Sequence, residues 1–409
     1  MTLLYYQIRH IFRVSVWIVS QSSLACSKRS RVSLAVKKKK MNNLKFVHRI
    51  LTLLLLINFL HNSLSGICEL CVCVETETSR IVNCEGKRES NNYTEIFDLL
   101  AFDDYKGAEK LILSKHKIIS LPLDAFRGLT ILKSLDLSEN SILDIEADVF
   151  KDLSTLEELN FSFNQLSSLS GAAFSNVQSL LHLNLSNNRI ADLNETTANQ
   201  LPKLTHLDLS HNKLKTIHSS FLESLNNLKF LDVSFNAIRT LSGETMLKLG
   251  SLIELGASHN ELEKISGEYL PVSLKILSVG HNSITFVPKS LSKIRELNIE
   301  DNKISSIGAA SLKKLERLNI SGNGLTEFPD AKFEDLKTLD LSMNKLTSIP
   351  EALTFYNLPI LEELSIGGNP IRNLTFKSEL RLRKLILRNL DLLKAIEIHA
   401  FRHLKGVRD

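Results

Sequence analysis

The chain has 409 residues, five cysteines and a net charge of +5, from 50 basic and 45 acidic residues. Its length leaves room for two or three domains. The basic excess is local: residues 1–66 hold eleven Lys or Arg and no acid, leaving 39 basic against 45 acidic residues, a net −6, in the rest. That balance removes the electrostatic case for a nucleic-acid partner.

In chain order, residues 1–40 read as a doubtful leader, Arg- and Ser-rich and ending in Lys37 to Lys40, as though an upstream start had been included. Residues 41–66 read as a secretory signal. Met41 is followed by Lys45, His48 and Arg49, then the apolar run Ile50 to Leu60, with small residues at Ser63 to Gly66 offering a cleavage site. The rival readings are a genuinely long n-region or a membrane anchor starting at Ile50. An anchor needs a longer apolar stretch than this one.

Residues 67–100 carry Cys68, Cys71, Cys73 and Cys84, whereas Cys26 lies in the leader. In a secreted chain, four clustered cysteines read as two disulfides that cap the module following them. Cys-x-x-Cys is also a zinc spacing, but an oxidising compartment favours the bridges.

From residue 101 to 409 one pattern recurs: Leu132, Leu135 and Leu137 lead to Asn140, and Leu156, Leu159 and Phe161 lead to Asn164. Asn188, Asn212, Asn236, Asn260, Asn282, Asn302, Asn323, Asn344 and Asn369 continue the series. The step is 24 residues from Asn140 to Asn260, then 22, 20, 21, 21 and 25. Leu-x-Leu is the alternation of a strand with one buried face. The asparagine turns the chain inside the coil, where its amide can bond backbone of its own and the adjacent coil, forming a structural ladder.

The expected fold is an α/β solenoid of about 13 repeats plus a partial one. It has a parallel concave sheet and an irregular, short-helical convex side. The long repeats place Phe126, Phe150 and Phe174, then Ala198, Leu222 and Met246, on the return path as a convex spine. The short repeats place Pro288, Pro329 and Pro350 there, and a change of curvature is expected near residues 260–280. His116 and Leu390 stand where Asn is expected, and Gly367-Gly368 falls in a repeat turn. A further repeat begins at Ala400, Phe401 and Leu404 with no cysteine cap after it, so the sequence reads as stopping short of a C-terminal cap.

The order of signal segment, Cys-x2-Cys-x-Cys-x10-Cys and Leu-x-x-Leu-x-Leu-x-x-Asn repeats resembles the extracellular leucine-rich repeat family of animals. That family includes Toll-type receptor ectodomains, small leucine-rich proteoglycans and connectin- or chaoptin-like adhesion proteins. The resemblance runs from Cys68 to Asp409 and implies a leucine-rich repeat horseshoe with the pairings Cys68–Cys73 and Cys71–Cys84. It also implies a secreted or cell-surface location, and recognition of another protein through the concave face, as in adhesion or receptor binding. The alternative is a secreted pattern-sensing or matrix protein that binds carbohydrate or lipid. Membrane attachment would need sequence beyond Asp409, and a homodimer is left open.

Solvent-facing strand positions supply the candidate partner surface. Phe230, Phe235, Ile253 and Ile276 are expected to cluster on consecutive coils, with His206, His211, His259 and His281 around them. Sequons at Asn92, Asn160, Asn184, Asn194, Asn319 and Asn373 mark expected glycosylation. Asn160, Asn184 and Asn319 fall in the central strand column, so sugars there would flank a bare patch over residues 205–298. The pairs His182/His206 and His259/His281 lack a clear third ligand, and spacing alone assigns them neither a metal nor a proton-sensing role. No nucleophile has an oriented base, and no phosphate-binding glycine loop opens a helix. The reading contains no enzyme, cofactor or metal.

Overall fold

The computed structural model describes residues 71–75, 79–86 and 107–408, apart from 194, 242–243, 267–268, 288–290, 309–311 and 313. The leader and signal segment, Cys26, Cys68, Asn92, Asn194 and Pro288 lie outside the described residues. All the described residues belong to one unit, Gly66–Asp409.

That unit is a solenoid built on one 15-stranded sheet. An antiparallel hairpin, Val72–Glu75 with Arg80–Asn83, starts it, and every later strand of this sheet joins in parallel and in chain order. Each coil strand is short: Ser134–Asp136, Glu158–Asn160 and His182–Asn184 are typical. The central Leu of each points inward and its two neighbours face out, which is the geometry of a pleat. Register is one-to-one along the stack, pairing Leu159 with Leu183, Leu183 with Leu207, and Leu207 with Leu231. Burying each such side chain contributes about 1.5–3 kcal/mol, which favours adding a coil to a coil already formed.

The asparagines lie just inside that core. Asn164 Nδ2 donates to the carbonyls of Leu137 on the preceding coil and Phe161 on its own, at 2.9 and 3.1 Å. Its Oδ1 accepts the Ile142 backbone N–H at 2.9 Å. The same set repeats at Asn188 and, near the far end, at Asn344 and Asn369. Each amide closes backbone groups that the turn would otherwise leave buried and unpaired.

On the convex side, Phe126 and Phe150 have ring centroids 5.8 Å apart, and Phe150 and Phe174 are 6.3 Å apart. Ala198, Leu222 and Met246 continue this buried row. The described helices also fall in the 24-residue coils: a 3-10 turn at Gly171–Phe174 and α-helices at Glu195–Asn199, Ser219–Glu223 and Glu244–Lys248. In the first of the shorter coils after Asn260 the described return path keeps a 3-10 position at Tyr269. Farther along, the Pro329 and Pro350 carbonyls accept backbone bonds from Ala331 and Leu353 in turns of the return path.

At the N-terminal end, Cys71 is disulfide-bonded to Cys84, and Cys73 is disulfide-bonded as well. The His116 ring donates to the Cys84 carbonyl from Nε2 at 2.5 Å, so the residue standing in for Asn ties the first coil to the hairpin. At the other end, Leu385, Leu387, Leu390 and Leu393 are only partly buried against the core. The Arg408 N–H reaches the Arg383 carbonyl at 3.0 Å, where the next strand of the stack would join. Two small parallel pairings, Asn373–Leu374 with Ala395–Ile396 and Leu380–Arg381 with Leu404–Lys405, lie outside the main sheet. Among the described residues, no helix is long and apolar enough to cross a membrane.

Candidate functional site

The strands present two rows of rings rather than one cluster. On the sheet itself, His182, His206 and Phe230 are register partners on three consecutive strands. The His182 and His206 rings meet edge-on at 4.4 Å, and His206 lies 6.0 Å from Phe230 at an interplanar angle of 25°. Phe230 is not adjacent to Ile276, because Glu254 occupies the strand between them. Ile253 lies in a third column, beside Lys229 and Lys275, to whose coils its backbone is bonded.

Phe235 belongs to the second row, at the rim where the chain leaves the strand. Here His211, Phe235, His259 and His281 all hold left-handed backbone, with φ between 53° and 55°. Their rings form an unbroken stack, with centroid separations of 3.9, 4.0 and 3.9 Å and interplanar angles of 11°, 13° and 15°. Identical φ on successive coils aims successive side chains the same way. The backbone also pins them: the N–H groups of His211, Phe235 and His259 each donate to the next coil at 2.9 Å. The rings lie closer than the 4.7–4.9 Å between paired strands, consistent with the inner side of a curved stack.

Sequence reasoning counted these four residues into one column on successive coils but read the histidines as a surround to an apolar cluster, not as members of a face-to-face ring stack with Phe235. The signal was present, since no β-branched residue occupies this left-handed column. Its members include Lys115, Glu139, Phe163, Asn187, Asp301 and Met343, with Gly322 and Gly368.

Electrostatics divides the face. Toward both ends, neighbouring coils are joined by ion pairs: Lys133–Glu109 at 2.7 Å, Arg317–Glu296 at 2.6 Å and Arg383–Glu363 at 2.7 Å. In the middle, none of Lys229, Lys275, Glu254, Asp208 and Asp232 forms an ion pair among the described residues. Burial, then Asp232 and Glu296, push the Glu254 carboxyl above its ordinary value. Burial, with His182 and Lys229 adding repulsion, lowers the His206 imidazole. Burial and His281 lower His259 in the same way, against the opposing pull of Glu300 and Asp301.

The sequon asparagines on the sheet have a structural explanation of their own. Asn160 Oδ1 accepts the Ser162 N–H at 3.0 Å, and Asn184 Oδ1 accepts that of Ser186 at 2.9 Å. Asp136, Asp208, Asp232 and Asp340 do the same for the serine two residues on. Where Ser follows two residues on, an Asn in this column therefore makes an Asn-x-Ser triplet as part of the repeat, whereas Asn298 is followed by Glu300 and makes none. Asn160 and Asn184 are register partners and line a concavity of about 420 Å³ with His182, His206 and Phe230. Asn319 Oδ1 likewise accepts the Ser321 N–H, at 3.2 Å, while its Nδ2 donates to Glu300 at 2.7 Å, and Asn373 is exposed on its short strand. Among the described residues, no group of three or more His, Cys, Asp or Glu could hold a metal ion.

A family model described as "Leucine rich repeat" matches residues 106–166, 154–214, 202–262 and 313–371, and a second leucine-rich repeat model matches 290–313. The chain belongs to the leucine-rich repeat family. No curated protein matches this leucine-rich repeat chain. Among solved structures it is similar to a leucine-rich repeat protein of Leptospira interrogans, with a TM-score of 0.60 and 23% identity over 78% of this chain and 84% of that one. It is also similar to Drosophila Toll in its complex with Spatzle, with a TM-score of 0.55 and 21% identity over 72% of this chain and 49% of that one. TLR13, solved with single-stranded RNA, gives a TM-score of 0.55 and 23% identity over 80% of this chain and 53% of that one. The chain thus spans about half of the Toll and TLR13 chains it matches. These likenesses show the fold.

Proposed function

We propose that this leucine-rich repeat chain is an extracellular recognition protein, secreted or displayed at the cell surface, that binds another protein through the middle of its concave face and the adjoining rim. The observation that carries the reading is the contrast along the face. Ion pairs close its flanks, whereas the strands between them present the ring rows beside Lys229, Lys275, Glu254, Asp208 and Asp232, none of which forms an ion pair among the described residues. Exposed rings rimmed by polar groups mark interaction surfaces. The disulfide-tied hairpin supports an oxidising compartment, as does the signal-like segment at 41–66. Sugars at Asn160 and Asn184 would fill the concavity beside His182 and direct a partner toward Phe230 and the rim.

A repeat solenoid is typically non-enzymatic. Nucleic acid is the weaker partner class for a different reason from net charge, since TLR13 was solved with RNA on the same fold. Here the central column carries Asp208 and Asp232 on paired strands with Glu254 beside them, which would repel a long phosphate backbone laid along the sheet.

The test is an array of extracellular protein domains probed with the multimerised secreted chain. A bait that binds wild type and loses about tenfold or more with Phe230→Ala plus Phe235→Ala supports the reading, since aromatic hot spots cost about 2 kcal/mol or more. Thermal unfolding of the variant should stay unchanged. Binding that survives both substitutions would move the site off this face.

A further inference from the structure

The rim stack has a property that protein recognition alone does not use: three of its four members are imidazoles. His259 is enclosed between Phe235 and His281, at centroid distances of 4.0 and 3.9 Å. Two imidazolium rings face to face at that separation repel, so a second proton on the stack calls for an anion nearby. Among the described residues, carboxylates come within ion-pair range of the stack at one end only. His281 Nδ1 lies 3.3 Å from Asp301 Oδ2, and its Nε2 lies 3.9 Å from Glu300 Oε1. Glu300 is also engaged by Asn298 and Asn319. The charged groups that act on His259 are His281 and His211, which oppose its proton, and Glu300 and Asp301, which favour it. Among the described residues, His211 has no carboxylate in ion-pair range.

The stacking also decides what a partner meets. Ring faces are covered by one another, so the outward surface is a ribbon of ring edges. Aromatic edges carry the positive end of the ring quadrupole, and imidazole edges add N–H donors. We propose that the edge ribbon of His211, Phe235, His259 and His281 is a proton-linked docking surface for an acidic segment of a protein partner. The partner's carboxylates supply the counter-anion that the His211 end lacks. This rests on the protein-binding reading above and adds the partner's chemistry to it.

The sign of the linkage follows. A carboxylate that binds protonated histidine better than neutral histidine must tighten as pH falls through the imidazole range. One pKa unit of stabilisation on one ring gives about tenfold in affinity once the pH is below both values. A short acidic segment suits the site better than a long polyanion, because Asp301 and Glu300 close one end of the ribbon.

The experiment uses the full secreted chain and a synthetic glutamate-rich peptide, with an oligo-uridylate of equal charge as the second probe. Affinities are measured between about pH 7.5 and 5.5, where imidazole titrates. The peptide should bind wild type about tenfold more tightly at the lower pH. The triple variant His211→Phe, His259→Phe, His281→Phe keeps every ring and should lose that increment. As a check that does not depend on the triple variant folding, the His259 ring resonance of the wild type should titrate at higher pH with peptide present. No peptide binding, pH-independent binding or an increment that persists in the triple variant each overturns the inference, and so does preferential binding of oligo-uridylate. Those outcomes leave the Phe230 and Phe235 array test intact, so the two readings fail separately.

Discussion

Asn188 Oδ1 accepts the backbone N–H of Leu166, 22 residues earlier, at 3.0 Å, while its Nδ2 donates to the carbonyls of Phe161 and Leu185 at 2.9 and 3.0 Å. One amide thus closes backbone groups on two coils. Asn188→Leu keeps the branched skeleton of the side chain and strands those groups in a buried turn. The expected loss is about 3 kcal/mol, from the desolvation of more than one unpaired group, read as a lower urea midpoint. A loss below about 0.5 kcal/mol would mean that water replaces the amide.

Phe150 is fully buried and touches three other rings, with centroids 5.8, 6.0 and 6.3 Å away at Phe126, Phe161 and Phe174. Phe150→Ala should cost about 3–5 kcal/mol. Because a solenoid coil contacts only its neighbours, hydrogen exchange should show the loss concentrated in the coils on either side. Uniform loosening from Cys84 to Leu382 would contradict that local coupling.

Burial lowers His116 below its ordinary value of 6.5, and its bond to the Cys84 carbonyl opposes the shift. The unfolded chain therefore takes up this proton first. Stability from this site is full above pH 6.5 and declines as pH falls through 6.5 toward the lower folded-state value. His116→Asn restores the repeat's usual residue and should flatten that part of the stability–pH curve. An unchanged curve would assign the dependence elsewhere.

Cys84 joins Cys71 across 13 residues of sequence, tying down the hairpin that covers the first coil. Cys84→Ser should destabilise that end by about 3 kcal/mol, the loop-closure value for a ring of this size. Limited proteolysis should then begin in the hairpin and leave the coils around Asn260 intact. Simultaneous cleavage throughout would show that the bridge holds more than its own end.

The fold was legible because its causes are local and repeated. Asn, Leu and the left-handed rim residue each answer a backbone requirement that recurs every coil, so eleven copies state it in the sequence. The site was only partly legible. Columns could be counted from the consensus, which put Phe230 and Phe235 on the same coil. Their separation into a sheet row and a rim row depends on the turn at φ 55°, which redirects Phe235 toward His211 and His259. The absence of ion pairs around Lys229 and Glu254 could not be read either, because pairing depends on which long side chains reach across a strand gap.

The unbroken one-to-one register from Ser134 to Lys384 also makes the face editable by whole coils. Excising residues 213–236 removes Phe230, Phe235 and Asn236 together and joins Asn212 directly to Ala237. The ladder would then close Asn260 against the coil of Asn212, and His259 would inherit His211 as its stacking neighbour. Recombination within such a gene need not damage the scaffold to change its specificity. It can substitute one row of chemistry for another, much as movable type resets a line without recasting the press.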